Sequence, residues 1–99
     1  MMQSKYYVQT RTKNRTKDYG KAYPTKEKAK VRFDALNKKK VWARLIEHYG
    51  MFPVVIEQSD VAYLEMLQML LSFYEGKAGY EKAIAACDKH IAELQEKLK

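Results

Sequence analysis

Hydrophobic and polar positions alternate along the beginning of the chain. In residues 5–13, the even positions, starting with Tyr6 and Val8, fall on one face and the odd positions on the other. This pattern is typical of a half-buried β-strand. Residues 14–17 are polar and permit a turn, and the alternation resumes over residues 18–23. The two segments therefore predict a β-hairpin.

A helix is predicted to follow the hairpin. Pro24 ends the second strand, and Thr25 is a good N-cap because its hydroxyl can accept a hydrogen bond from an unpaired N–H of the first turn. Ala29, Phe33 and Leu36 are spaced by four and three residues, so they share one face of the helix. We expect this face to pack against the sheet.

Two further strands are indicated next. Residues 41–47 alternate again, but both faces are mainly apolar, which is typical of a central strand covered on two sides. Gly50 and Pro53 bracket a turn, and residues 54–56 can form a short fourth strand. The pattern leaves open whether this strand pairs within its own chain or across a dimer.

The C-terminal part predicts two helices. Ser59 is suited to cap a helix that reaches Tyr74 and is apolar over most of its circumference. Glycines at positions 76 and 79 interrupt it, and a heptad-like seam of apolar residues then runs from Tyr80 to Leu98 through Cys87. The short break between the helices favours an antiparallel pair.

These elements indicate an α+β fold. Residues 1–58 form a basic unit, a small antiparallel sheet with one packed helix (ββαβ or ββαββ), and residues 59–99 form a helical hairpin continuous with it. The first hairpin helix is too apolar for one neighbour to cover, since three large apolar side chains left in water would forgo about 5 kcal/mol. We therefore predict a homodimer through the hairpin, with the interface residues Met66, Leu70, Phe73, Ile84, Ile91 and Leu94. An adaptable groove for another partner, rich in methionine and aromatic residues, is the alternative.

Charge separates the two parts of the chain. Residues 1–50 contain fourteen Lys and Arg against four Asp and Glu, whereas residues 51–99 contain five against eight. Basic side chains displace counterions from phosphates, and neighbouring aromatic rings can stack on bases. The candidate binding residues are Arg11, Lys13, Arg15, Lys17, Lys21, Tyr7 and Tyr19. The competing interpretation is a solvated lysine-rich surface whose aromatic residues fill a small sheet.

Other residue types point away from catalysis and from export. His48 and His90 have no partners at metal-ligand spacing, the glycines are scattered, and no paired carboxylates occur, so we expect no enzyme, metal or cofactor. Cys87 lies on the helical seam and is expected to be a buried apolar residue. A single cysteine, the lack of a signal-peptide pattern and the polar interruptions in residues 54–74 predict a cytoplasmic protein that does not span a membrane.

Two resemblances bear on function. The basic hairpin followed by Tyr23, Thr25, Lys26, Glu27 and Ala29 resembles the AP2-like arm-binding domain of phage integrases, which implies that Arg11, Lys13, Arg15 and Lys21 contact DNA in the major groove. The strand at 41–47 departs from that family. The ββαβ pattern on a short chain is also similar to small accessory proteins of bacteriophages that infect Gram-positive bacteria, several of which inhibit host components.

The sequence therefore predicts a non-catalytic, oligomeric binding protein. The favoured hypothesis is a phage-type protein that inhibits or regulates an anionic host macromolecule in the host cytoplasm through its basic part. Direct binding of DNA or RNA is the first alternative. Capture of a small anionic nucleotide between protomers is the second.

Overall fold

The computed structural model describes residues 4–11 and 17–99. These residues form a four-stranded antiparallel sheet and three helices, which confirms the predicted α+β fold. In chain order the elements are β1 (Ser4–Arg11), β2 (Lys17–Asp18), α1 (Lys26–Lys38), β3 (Ala43–Tyr49), β4 (Phe52–Gln58), α2 (Asp60–Tyr74) and α3 (Glu81–Lys97). The strand order is β2-β1-β3-β4, so β2 and β4 form opposite edges of the sheet.

The second strand is much shorter than the alternation of residues 18–23 predicts. Only Lys17 and Asp18 pair with β1, and Tyr23 rejoins the sheet through an isolated bridge to Tyr6. Between them Gly20 adopts a φ of 64°, and its N–H donates to Oδ1 of Asp18 at 2.9 Å. This local turn directs the backbone away from the hydrogen-bonded ladder with β1. Asp and Gly are common in such turns.

Helix α1 covers one face of the sheet, as predicted. The Thr25 hydroxyl accepts a hydrogen bond from the Lys28 N–H at 3.3 Å and caps the helix. Ala29, Phe33 and Leu36 are buried against Val8 of β1 and the β3 residues Ala43 and Leu45. This cluster is the main hydrophobic core. The predicted strand is covered on both faces, since Ile46 on the opposite face is also buried, but it spans residues 43–49 and not 41–47.

Strand β4 pairs within its own chain. Gly50 and Met51 form a two-residue turn between β3 and β4, with Gly50 at a φ of 63°. A glycine at the first position of such a turn supplies the positive φ that a type II′ hairpin needs. A bulge between Leu45 and Ile46 shifts the β3–β4 register.

Helices α2 and α3 form an antiparallel pair. The Tyr74 and Tyr80 rings stack 4.8 Å apart at the connecting loop, and Lys97 forms an ion pair with Asp60 at the other end. Ser59 joins the pair to the sheet: its buried Oγ accepts hydrogen bonds from the N–H groups of Ala43 (2.9 Å) and Ala62 (3.3 Å). One side chain thus fixes the start of β3 and caps α2.

Candidate anion-binding surface

A cleft of about 260 Å³ opens between β1, the turn after β2 and helix α1. Its cations are Lys21 and Arg32, and its aromatic residues are Tyr19 and Tyr23. The Lys21 ammonium lies 5.1 Å from the centre of the Tyr23 ring. No acidic side chain of a described residue lines the cleft, so it combines two positive charges with two aromatic residues. This combination suits phosphate contact and stacking.

The positive charge of the cleft continues along one flank of α1. Lys28 and Arg32 of α1 and its C-cap residue Lys39 follow one another at spacings of four and seven residues, which places them on one side of the helix. All three are exposed, and none forms an ion pair with a described residue. We call Lys21, Lys28, Arg32 and Lys39 the basic ridge.

Acidic residues of α1 lie on its other flank. Glu27 and Asp34 are seven residues apart, and Asp34 binds the ammonium of Lys30 at 2.9 Å. The same ammonium binds Glu57 of β4 at 2.8 Å. These hydrogen bonds, that to Glu57 first, raise the pKa of Lys30. Lys30 is thus satisfied within the fold, whereas the basic ridge on the opposite flank is not neutralised by described residues.

Arg11 occupies a structural position instead of an open binding position. Its guanidinium pairs with the carboxylate of Glu65 in α2 and lies 4.5 Å from the centre of the Trp42 ring. The Arg44 guanidinium approaches the same ring at 5.2 Å and donates two hydrogen bonds to Oε1 of Gln9. Arg11 therefore connects the sheet face opposite α1 to α2, and Arg44 connects β3 to β1 beside the same Trp42 ring.

The remaining predicted binding residues lie in different parts of the structure. Lys17 lines a cleft of about 420 Å³ between the sheet and α2, together with Trp42 and Met66. Tyr7 and Tyr19 form an edge-to-face cluster with His48, with ring centres 5.1 to 5.7 Å apart. Lys13 and Arg15 lie outside the described residues. Of the predicted residues that the structure describes, Lys21 and Tyr19 line the cleft beside α1.

A cleft of about 600 Å³ lies where α1, α2 and α3 converge. It has mixed charge: Lys38, Lys40 and Lys97 face Asp34 and Asp60. The Lys97 ammonium already binds Asp60, and the Lys40 ammonium donates to the backbone carbonyl of Lys99 at 2.8 Å. Internal partners thus reduce its attraction for an external anion.

Four of the six predicted interface residues pack together within the chain. Ile91 is buried between α2 and α3 with Leu67 and Cys87, and Met66, Leu70 and Leu94 pack around them. Ile84 is half-buried, whereas Phe73 is 60% exposed. Much of the apolar surface of α2 is therefore covered by α3, and self-association through these helix residues stays a prediction.

The thiol of Cys87 and the hydroxyl of Tyr6 both have partners within the fold. Cys87 is a free, buried thiol in the α2–α3 core, where the sequence pattern predicts it. The Tyr6 hydroxyl donates to Oε2 of Glu47 at 3.1 Å, and this hydrogen bond raises the pKa of Tyr6.

In residues 4–11 and 17–99, no three His, Cys, Asp or Glu side chains are grouped so that they could hold a metal ion. Within the same residues, no helix is both long and apolar enough to cross a bilayer.

Sequence reasoning identified the basic N-terminal part but not the arrangement of its cations. Lys28, Arg32 and Lys39 belong to the basic ridge although the predicted site centres on the hairpin. The spacing of four between Lys28 and Arg32 is the signal that indicates a shared helix face.

Comparison of the chain with protein-family models, with curated proteins and with solved structures found no match.

Proposed function

We propose that this protein is a non-catalytic binding protein whose basic N-terminal part engages an anionic macromolecule through the basic ridge. The supporting observation is that Lys21, Lys28, Arg32 and Lys39 are exposed and form no ion pair with described acids. In contrast, Arg11 and Lys30 have acidic partners.

Nucleic acid is the class of partner that the ridge favours. Along α1 a spacing of four residues corresponds to a rise of about 6 Å, and seven residues to about 10 Å. A nucleic-acid strand presents one phosphate every 3.4 Å or so along its axis, so cations at these intervals can meet phosphates two or three nucleotides apart. Tyr19 and Tyr23 in the adjoining cleft add rings on which a base can stack.

Fluorescence anisotropy with a labelled mixed-sequence duplex tests the proposal. Four phosphate contacts predict a slope of about −3.6 in a plot of log affinity against log salt concentration. Replacing Lys21 and Arg32 by alanine removes two contacts and should reduce the slope by about 1.8. The matched control replaces Lys82 and Lys89 of α3, two exposed lysines that do not belong to the ridge, and should leave the slope unchanged.

Three other outcomes would change the conclusion. Equal losses for both double variants would indicate a non-specific effect of net charge and contradict a site on the ridge. No detectable duplex or single-strand binding at about 50 mM salt would exclude nucleic acid and direct the search to an acidic protein of the host. Displacement of the duplex by micromolar mononucleotide would identify the 260 Å³ cleft as a site for a small anionic nucleotide.

A further inference from the structure

The cleft between the sheet and α2 lies on the sheet face opposite α1, away from the basic ridge, and has a volume of about 420 Å³. We call it the α2 cleft. Small-molecule sites commonly have volumes of this order, with a mostly apolar wall and a few polar groups. The apolar wall of the α2 cleft consists of Trp42, Val55, Ala62, Met66 and Met69.

The polar groups of the α2 cleft include a cation that has no anionic partner among the described residues. Arg44 is half-buried, and its guanidinium donates to a neutral acceptor, Oε1 of Gln9, and lies 5.2 Å from the centre of the Trp42 ring. Arg11 and Lys30, in contrast, bind carboxylates. Charged groups shielded from water are usually paired, and a guanidinium has several N–H donors, so the position of Arg44 suits an anionic ligand.

The charge balance of the α2 cleft also favours an anion. Lys17 of β2 lines it, is exposed and forms no ion pair with a described residue. Glu65 is the acidic residue among the described lining residues, and its carboxylate binds the guanidinium of Arg11. An anion in the cleft therefore meets the charges of Lys17 and Arg44, while Arg11 offsets the repulsion from Glu65.

Polar and apolar groups lie toward different ends of the α2 cleft. Arg44 is paired with Gln58 in the β3–β4 register, and Val55 precedes Gln58 by three residues, roughly 7 to 10 Å along a bulged strand. On α2, Met69 follows Ala62 by seven residues, about 10 Å along the helix. Val55 and Met69 are 42% and 67% exposed. The cleft thus offers a cation and an amide at one end and uncovered apolar side chains at the other.

The apolar wall suits a flexible chain more than a flat ring. The guanidinium groups of Arg11 and Arg44 both approach the Trp42 ring, at 4.5 and 5.2 Å from its centre, and so compete with a ligand for stacking on it. Met66 and Met69 have unbranched, polarizable side chains that adapt to irregular apolar shapes. These features favour an acyl chain.

We propose that the α2 cleft binds a fatty acid of medium chain length. The carboxylate accepts charge-assisted hydrogen bonds from the Arg44 guanidinium and is attracted by Lys17. The acyl chain covers Val55 and Met69. This site lies on the other face of the sheet from α1, so it is separate from the basic ridge and goes beyond the binding of a macromolecule proposed above.

Fluorescence of Trp42 tests the proposal, because Trp42 is the only tryptophan and lines the cleft. Titrating the full chain with decanoate, below the concentration at which decanoate forms micelles, should change the Trp42 emission in a saturable manner with a Kd below about 1 mM. Decanol has the same chain without the charge. It should bind at least about tenfold more weakly, because it lacks the charge-assisted hydrogen bonds to Arg44.

Substitutions at the two ends of the cleft separate the two parts of the ligand. Arg44→Gln should weaken decanoate binding about tenfold or more and leave decanol binding within about twofold. Met69→Gln should weaken the binding of both ligands by about threefold or more. The matched controls are Lys82→Gln on α3, which also removes one positive charge, and Met51→Gln, where the methionine is 91% exposed in the β3–β4 turn. Neither residue lines the cleft, so both controls should bind as the unaltered chain does.

Circular dichroism establishes that each variant retains its fold. If Arg44→Gln does not fold, Lys17→Gln replaces it, with an expected loss of decanoate affinity of about threefold. The absence of a saturable response to decanoate would overturn the proposal. Equal affinities for decanoate and decanol would overturn it as well, and so would unchanged decanoate binding by Met69→Gln. No nucleic acid enters these measurements, so failure here is distinguishable from failure of the basic ridge.

Discussion

The guanidinium of Arg11 in β1 pairs with the carboxylate of Glu65 in α2, 54 residues later in the chain. It also packs on Trp42, so one side chain connects the sheet to the helical pair. The Arg11 side chain is 18% exposed and that of Glu65 is 38% exposed, which limits screening of the pair by solvent. Arg11 is therefore expected to contribute to stability more than to partner binding.

Replacing Arg11 by alanine should lower the free energy of unfolding by about 1 to 2 kcal/mol, because an ion pair and a cation–π contact are lost together. Urea denaturation followed by circular dichroism measures this change. Affinity for a duplex should stay within about twofold after correction for unfolded protein. A variant that retains stability but loses affinity would instead place Arg11 in the binding surface.

The pairing of Arg11 with Glu65 could not be predicted from the sequence. Alternation and helix caps are local, so the elements around Thr25 and Ser59 could be predicted from neighbouring residues. Glu65 instead lies on a helix whose pattern indicates only that it is apolar over most of its circumference, and the partner of Glu65 depends on how α2 meets the sheet. The shortened β2 has a local cause that strand alternation does not reveal, the turn at Gly20 stabilised by Asp18.

Ser59→Ala should cost more stability than the other N-cap substitution, Thr25→Ala. The buried Ser59 hydroxyl serves two N–H groups, and without it the buried N–H of Ala43 loses a partner, so we expect a loss of about 2 to 3 kcal/mol. Thr25 is exposed and caps only Lys28, so its loss should cost about 1 kcal/mol. Chemical denaturation of both variants checks the order, and equal losses would contradict a joining role for Ser59.

Stability should fall at alkaline pH. The pKa values of Lys30 and Tyr6 are raised in the folded chain above their ordinary values of 10.5 and 10.0. The folded state therefore holds these protons more tightly, and the stabilisation is complete below the ordinary values and is lost as pH rises through the folded pKa values. Denaturation midpoints measured from about pH 9 to pH 11.5 should decline. The decline should be smaller in Tyr6→Phe and in Lys30→Met, and an identical decline in both variants would assign it to other groups.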